Sequence, residues 1–385
     1  MANMLEGIRV LDLTTVVFGP YATQTLADLG AEVIKVEAPG GDAFRYAGKP
    51  AKTKAMGPCH LGLNRGKRSI VLDLKAEDDK ATMRELIARS DVFIHNVRDK
   101  AITSLGFGYE AVKAVRPDIV YVHCQGFGEG GPYADLQAYD DVIQAATGTA
   151  TLAGRVDGDG RPRYIPSLIA DKVAGLHGAY AVMGALIHKL RTGEGQKVEV
   201  PMFEAFTHFM LKEHLFGATL EPAQESVGYP RQLDPHRQPF PTADGWISIV
   251  PYTDGAILTL FQVLGRPDLL QTEAFATPMG RAMGMTEIYR LIATLTPAKT
   301  TAEWLSLCHA SRLPAVAVRD LADITTDPHL EAAGFFRRRE HPTEGTYLDM
   351  AAPVRFGVEV AEACHAPTLN GDGEAIRAEL KGAVR

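Results

Sequence analysis

The sequence predicts an α/β protein built on an open parallel sheet, with a smaller α+β unit after it. Three observations carry this expectation. Strand and helix patterns alternate through roughly the first 200 residues, and that regularity lapses into a Pro- and Gln-bearing stretch over 220–238. At 385 residues the chain also exceeds the usual size of one hydrophobic core, so two domains are expected.

The elements follow in order. Residues 7–13 (GIRVLDL) read as a strand, 21–29 as a helix behind Pro20, and 31–36 (AEVIKV) as a second strand. A strand, helix, strand unit of this kind implies parallel strands joined by a right-handed crossover. The pattern continues with a strand at 69–72, a helix at 77–89, a strand at 91–95, a helix at 109–115 and a strand at 118–123. A long helix rich in small residues runs from Lys172 to about Leu190, Gly193 is placed to cap its end, and 196–200 returns as a strand. Beyond the irregular stretch come a turn and strand over 243–250 and helical patterns at 257–264, 287–295 and 301–310. The chain closes with a strand-like 345–348 and a charged helix from about Glu374.

Composition excludes several classes. Hydrophobic residues make up 46% and charged residues 23%, ordinary for a globular chain and unlike a disordered one. No apolar run reaches the length of a membrane span and the first residues lack a basic-then-apolar signal, so a cytoplasmic protein with no membrane partner is expected. A net charge of -7 with mixed signs argues against nucleic acid as a partner. The four cysteines show no CxxC or CxxH spacing, so no metal site is expected and most should be buried thiols.

Three features bear on chemistry. Asp171 stands just before the long helix, where a carboxylate caps the first turn and the positive helix end favours its ionised form. On residue type alone it reads as an N-cap, with a nucleophile as the alternative. Glycines at 175, 178 and 184 cost helix propensity, which implies close packing that would seat such a carboxylate rigidly. Gly126–Gly131 fits GxGxxG, but Pro132 follows at once and no helix opens there, so a glycine-rich active-site loop or plain turn is expected rather than a nicotinamide site. The cluster Arg65, Lys67 and Arg68, with Lys75 beyond it, offers cations for a phosphate-bearing ligand; alone it reads as a solvated turn.

Taken in order, residues 7–13, Gly19-Pro20, 29–37, 64–69, the Asp171 helix and Thr192–Gln196 resemble the family III CoA-transferases, a family that also contains the 2-methylacyl-CoA racemases. The resemblance spans 7 to about 356. It implies a Rossmann-like large domain made of 1–220 and a returning segment 331–385, a small domain at 221–330, and an interlocked homodimer. It implies no tightly bound cofactor; coenzyme A and acyl-CoA are substrates, with a small carboxylic acid as the other partner. Asp171 matches the nucleophilic aspartate, which forms a mixed anhydride with the acyl group and then an aspartyl-CoA thioester. Val17 and Phe18 match the part lining the CoA site, and Leu72 to Lys75, Asn96, Val97, Arg98 and Leu136 to Tyr139 match further contacts.

The chain also departs from the family pattern. Ala38-Pro39 and Ser104 stand where several members carry basic residues, leaving Lys75, Arg98 or the Arg65 and Arg68 cluster for the phosphates. The polyglycine loop of formyl-CoA transferases is missing; 242–246 occupies its neighbourhood, which argues against oxalate or formate specificity. Racemases place a Gly-His-Asp element where this chain has Ala138-Tyr139-Asp140, and tyrosine, with a pKa near ~10, is a poor base at neutral pH. His123 and His177 read as packed or surface histidines. A transferase is therefore expected ahead of a racemase, and both ahead of an inactive CoA-binding protein. Arg231 and Arg237, from the second domain, either pair a substrate carboxylate, which would suit a dicarboxylic acid, or are ordinary interface arginines.

Overall fold

The computed structural model describes residues 3–357 and 363–382. Chain contacts divide it into two compact units: Met1–Ala150, Tyr164–Lys212 and Leu330–Arg385 form the first, and Thr151–Arg163 with Glu213–His329 the second. The expected boundaries differ from these in that 151–163 joins the second unit and the first unit ends at 212 rather than 220. Residues 358–362 and 383–385 of the expected returning segment lie outside the described residues.

The first unit opens with β1 (Arg9–Leu13), α1 (Phe18–Asp28), β2 (Glu32–Glu37), α2 (Pro58–Leu63), β3 (Lys67–Val71) and α3 (Glu77–Ala88). It continues through β4 (Val92–His95), α4 (Asp99–Ser104), α5 (Tyr109–Val115), β5 (Val120–Gln125) and α6 (Asp140–Ala146). After α7 (Leu152–Asp157), which belongs to the second unit, come α8 (Ile169–Thr192), β6 (Gln196–Pro201) and α9 (Met202–His214). The six strands form one parallel sheet in the order β3-β2-β1-β4-β5-β6.

Successive strand residues feed two separate cores. Val10, Val33, Ile94 and Val122 pack with residues of α1, α8 and α9, whereas Leu11, Ile34, Phe93 and Tyr121 pack with residues of α3, α4 and α5. A sheet covered on both faces is what near-continuous apolar strands require, and it is why these strands were readable. Because the strand order reverses at β1, loops leave β1 and β4 in opposite directions, and a crevice opens outside their carboxyl ends.

The second unit contains β7 (Phe240–Pro241), β8 (Trp246–Ile249), α10 (Asp254–Val263), α11 (Pro278–Met283), α12 (Met285–Leu295), α13 (Thr301–Ala310), β9 (Ala315–Ala317) and α14 (Pro328–Ala332). Its strands pair antiparallel in the order β7-β8-β9. Phe261, Ile288, Ile292 and Trp304 share its core. The chain then adds an antiparallel hairpin, β10 (Phe336–His341) and β11 (Gly345–Met350), and α15 (Gly373–Gly382), whose Ile376 and Leu380 join the α3 side of the first unit. Cys124 and Cys308 are buried, but Cys59 and Cys364 are exposed, so only half are the buried thiols expected. No helix among the described residues is long and apolar enough to cross a membrane.

Candidate active site

Asp171 is the third residue of α8, inside its first turn; the cap position is Leu168, which makes no side-chain capping bond. The expectation that Asp171 caps the helix from outside is thereby corrected. Its side chain is 7% exposed. Its backbone N–H donates to Oδ2 of Asp140 at 3.1 Å, and Asp140, buried at the start of α6, also accepts from Nε2 of Gln144 at 2.6 Å. A neighbouring carboxylate thus takes the amide that a helix end would offer to anions. Burial, then the negative charge of Asp140, push the Asp171 carboxyl up to about 7, against the expectation that the helix end holds it ionised. Asp140, which the sequence sets beside Tyr139 without marking a role for it, is thus the carboxylate set against Asp171.

The small residues of α8 explain how Asp171 is seated. A Cβ on Gly175, one turn further on, would come 2.9 Å from the Phe18 carbonyl oxygen, and one on Gly178 would meet Ala22 at 3.2 Å. Helix α8 therefore lies backbone to backbone on α1. Gly184 has open space around it and plays no such part.

The start of α1 is itself fixed from below. Nζ of buried Lys35 donates to the Thr14 carbonyl at 2.7 Å and to Oδ2 of Asp42 at 3.0 Å, while Asp42 accepts from the Val16 N–H at 3.0 Å. Val16 holds φ +71°, a conformation costly for a β-branched residue, which these buried bonds enforce. Asn96, just past β4, accepts from the Thr15 N–H at 3.0 Å and donates to its carbonyl at 2.9 Å, stitching the two loops of the crevice together. Val17 and Phe18 are buried, so this segment presents chiefly backbone.

The remaining expected CoA contacts divide. Val97 follows Asn96, and its carbonyl accepts from Nε2 of His123 at 3.1 Å. Lys75 and Arg98 are exposed at the carboxyl ends of β3 and β4, with unpaired side chains among the described residues. Leu72 is buried in the core and Tyr139 is 66% exposed ahead of α6.

Arg65 and Arg68 require correction as phosphate ligands. Arg65, 8% exposed, pairs with Asp28 at 2.6 Å and Asp349 at 3.1 Å. Arg68 pairs with Glu379 at 2.6 Å and Glu32 at 2.9 Å. Lys67 is buried beside Asp12 at 3.2 Å. These cations hold the returning C-terminal segment and the sheet, and none is free for a ligand.

The glycine motif is likewise occupied. The Gly128 N–H donates to Glu204 at 3.0 Å and that of Glu129 to Glu199 at 2.6 Å, so its amides already serve carboxylates and cannot cradle a pyrophosphate. His123 is packed against His95, with ring centroids 4.5 Å apart, and Nδ1 of His177 donates to the Val173 carbonyl at 2.8 Å, one turn back on α8.

Within the second unit, a cavity of about 460 Å³ is lined by Tyr229, Arg231, Tyr252 and Tyr289 among others. The Arg231 guanidinium lies 4.3 Å over the Tyr252 ring and donates from Nε to the Tyr289 hydroxyl at 3.1 Å. It has no carboxylate partner among the described residues. Arg237 instead donates to Gln232 at 2.8 Å and does not line the cavity.

Known proteins match this chain along nearly its whole length. The model of CoA-transferase family III matches residues 5–373. A succinate–glutarate CoA-transferase of Agrobacterium fabrum is 33% identical, covering 86% of this chain and 84% of that one. A succinyl-CoA:glutarate CoA-transferase of Homo sapiens is 30% identical over 95% of this chain and 83% of its own. Among solved structures, a CAIB/BAIF family protein from Brucella suis superposes with a TM-score of 0.83 at 31% identity, covering 98% and 100% of the two chains.

Proposed function

The chain belongs to CoA-transferase family III and is an enzyme that transfers CoA, and from that premise we propose that it moves CoA from an acyl-CoA thioester to a dicarboxylic acid through covalent intermediates on Asp171. One observation carries the reading: a buried carboxyl in the first turn of α8, poised near neutrality by burial and by Asp140, one turn before the glycine that packs on the Phe18 backbone. A nucleophile whose proton is lost near neutral pH is ionised when needed, and it is more basic than an ordinary carboxylate.

The electron pairs balance as follows. An Asp171 oxygen attacks the thioester carbonyl and CoA leaves as thiolate, giving a mixed anhydride. The thiolate attacks the Asp171 carbonyl carbon, releasing the donor acid and leaving an aspartyl-CoA thioester. The acceptor carboxylate displaces the thiolate to form a second anhydride. The thiolate then attacks the acceptor's carbonyl and frees Asp171. In this scheme the Val16–Phe18 and Asn96–Arg98 segments hold CoA, Lys75 and Arg98 pair its phosphates, and Asp140 positions the Asp171 backbone.

The dicarboxylic acceptor is supported by the acids named for the relatives above, and by Arg231, which has no carboxylate partner among the described residues and lines a second-unit cavity together with Asp234 and Asp254. The interlocked homodimer is supported by an exposed apolar stripe on α8, Leu176, Tyr180, Ile187 and Leu190, at helical spacing. The test is chemical trapping. Incubation with succinyl-CoA followed by hydroxylamine should leave a hydroxamate on Asp171 in peptide mass spectra, and none in Asp171→Asn. Turnover with Asp171 unmodified would overturn the covalent role.

A further inference from the structure

At the carboxyl end of β5, the His123 imidazole is 2% exposed and has two nitrogens in different circumstances. Nε2 lies 3.1 Å from the Val97 carbonyl and donates to it, which leaves Nδ1 with its lone pair. That Nδ1 is buried and has no hydrogen-bond partner. Nδ1 and one carboxylate oxygen each of Asp99 and Glu129 all lie within 4.8 Å of one another. Both carboxylates are exposed, so the cluster is open to solvent on that side.

From this geometry we propose that Asp99, His123 and Glu129 bind one divalent transition-metal ion per chain, of the zinc, cobalt or manganese class. Two carboxylates and a neutral imidazole are the mixed oxygen and nitrogen donor set that such ions take, with the open side left to water. The backbone carbonyl on Nε2–H is the outer support that fixes a ligating histidine's tautomer and ring orientation. Lys197 opposes the ion: its ammonium sits 2.6 Å from Oε1 of Glu129, the oxygen that lies 3.9 Å from Nδ1. Binding draws Glu129 away from Lys197. Because Asp99 follows Arg98, and His123 holds the Val97 carbonyl, the ion clamps the segment 97–99 from two sides.

The test is a Co2+ titration of the EDTA-dialysed full-length protein, read by d–d absorption and by displacement with Zn2+, with no reliance on transferase activity. The expected result is a single saturable equivalent. His123→Gln and Glu129→Gln should each weaken it by about tenfold or more, and Lys197→Met should tighten it. Circular dichroism checks each variant's fold; Glu129 and Lys197 lie toward the surface, so their variants remain informative if His123→Gln unfolds. Absence of saturable binding, binding unchanged in Glu129→Gln, or weaker binding in Lys197→Met would each overturn the site.

Discussion

Replacing Asp171 by Asn should make the protein more stable in alkaline than in acidic buffer relative to wild type, while abolishing exchange. In the folded chain this carboxyl loses its proton near 7 instead of its ordinary 3.8. Between those values the native state holds a proton that the unfolded chain has released, so wild-type stability falls as pH rises through this window. The raised pKa lowers native stability by about 4 kcal/mol at pH 8, against about 1.5 kcal/mol at pH 5, at roughly 1.4 kcal/mol per pH unit between the two pKa values. Asparagine is neutral at both, and whatever the swap costs in hydrogen bonding cancels in the comparison. Urea unfolding of both proteins at pH 5 and pH 8 should therefore show the difference moving by about 2.5 kcal/mol in the variant's favour. A difference that stays flat with pH, or moves the other way, would refute the account of Asp171 as a buried, Asp140-opposed carboxyl. Exchange activity surviving in the variant would refute its role as nucleophile.

Asp140→Asn removes the like charge beside Asp171, so the acid limb of the kcat/KM profile should move to lower pH; a limb that stays put would assign it to another group. Arg65→Met leaves Asp28 and Asp349 without their buried counter-ion and should cost about 3 kcal/mol in unfolding free energy, with the Kd for CoA measured by calorimetry within a factor of about two of wild type. Gly175→Ala must displace the Phe18 backbone and should lower both stability, by about 1–3 kcal/mol, and kcat. Gly184→Ala, in open space on the same helix, should instead stabilise by about 0.5–1 kcal/mol and leave kcat unchanged.

What the sequence disclosed, and what it withheld, follows the range of the interactions. Strands β1, β2, β4 and β5 were readable because burial on both faces demands runs such as Val-Leu and Val-Phe-Ile. Gly193 was readable as the stop of α8 because only its left-handed φ of 78° is needed there. The start of α8 was not, since Leu168 caps it without any side-chain bond to announce the first turn. Arg65 and Arg68 looked like a phosphate cluster because their partners Asp349 and Glu379 stand 284 and 311 residues away. The β10 strand was hidden by its Arg-Arg-Arg-Glu run, tolerable on a two-stranded hairpin whose faces are largely open. Asp171 was found through family likeness, but the burial and the Asp140 charge that raise its pKa come from tertiary packing and another helix, and spacing could not say that the two carboxyls meet.

The C-terminal segment that returns to the first unit has a consequence for biosynthesis. Arg45 donates to the Pro367 carbonyl, Arg65 needs Asp349, Ser69 is paired with Asp372, and Arg68 waits for Glu379. While the ribosome is still making the middle of the chain, Arg45, Arg65 and Arg68 keep Glu37, Asp28 and Glu32 but lack their C-terminal partners, and the Ser69 amide lacks its own. The large sheet therefore gains its full set of ion pairs and its α15 covering only once nearly the whole polypeptide has been made, and a nascent chain stalled before residue 330 should be less stable than the finished first unit.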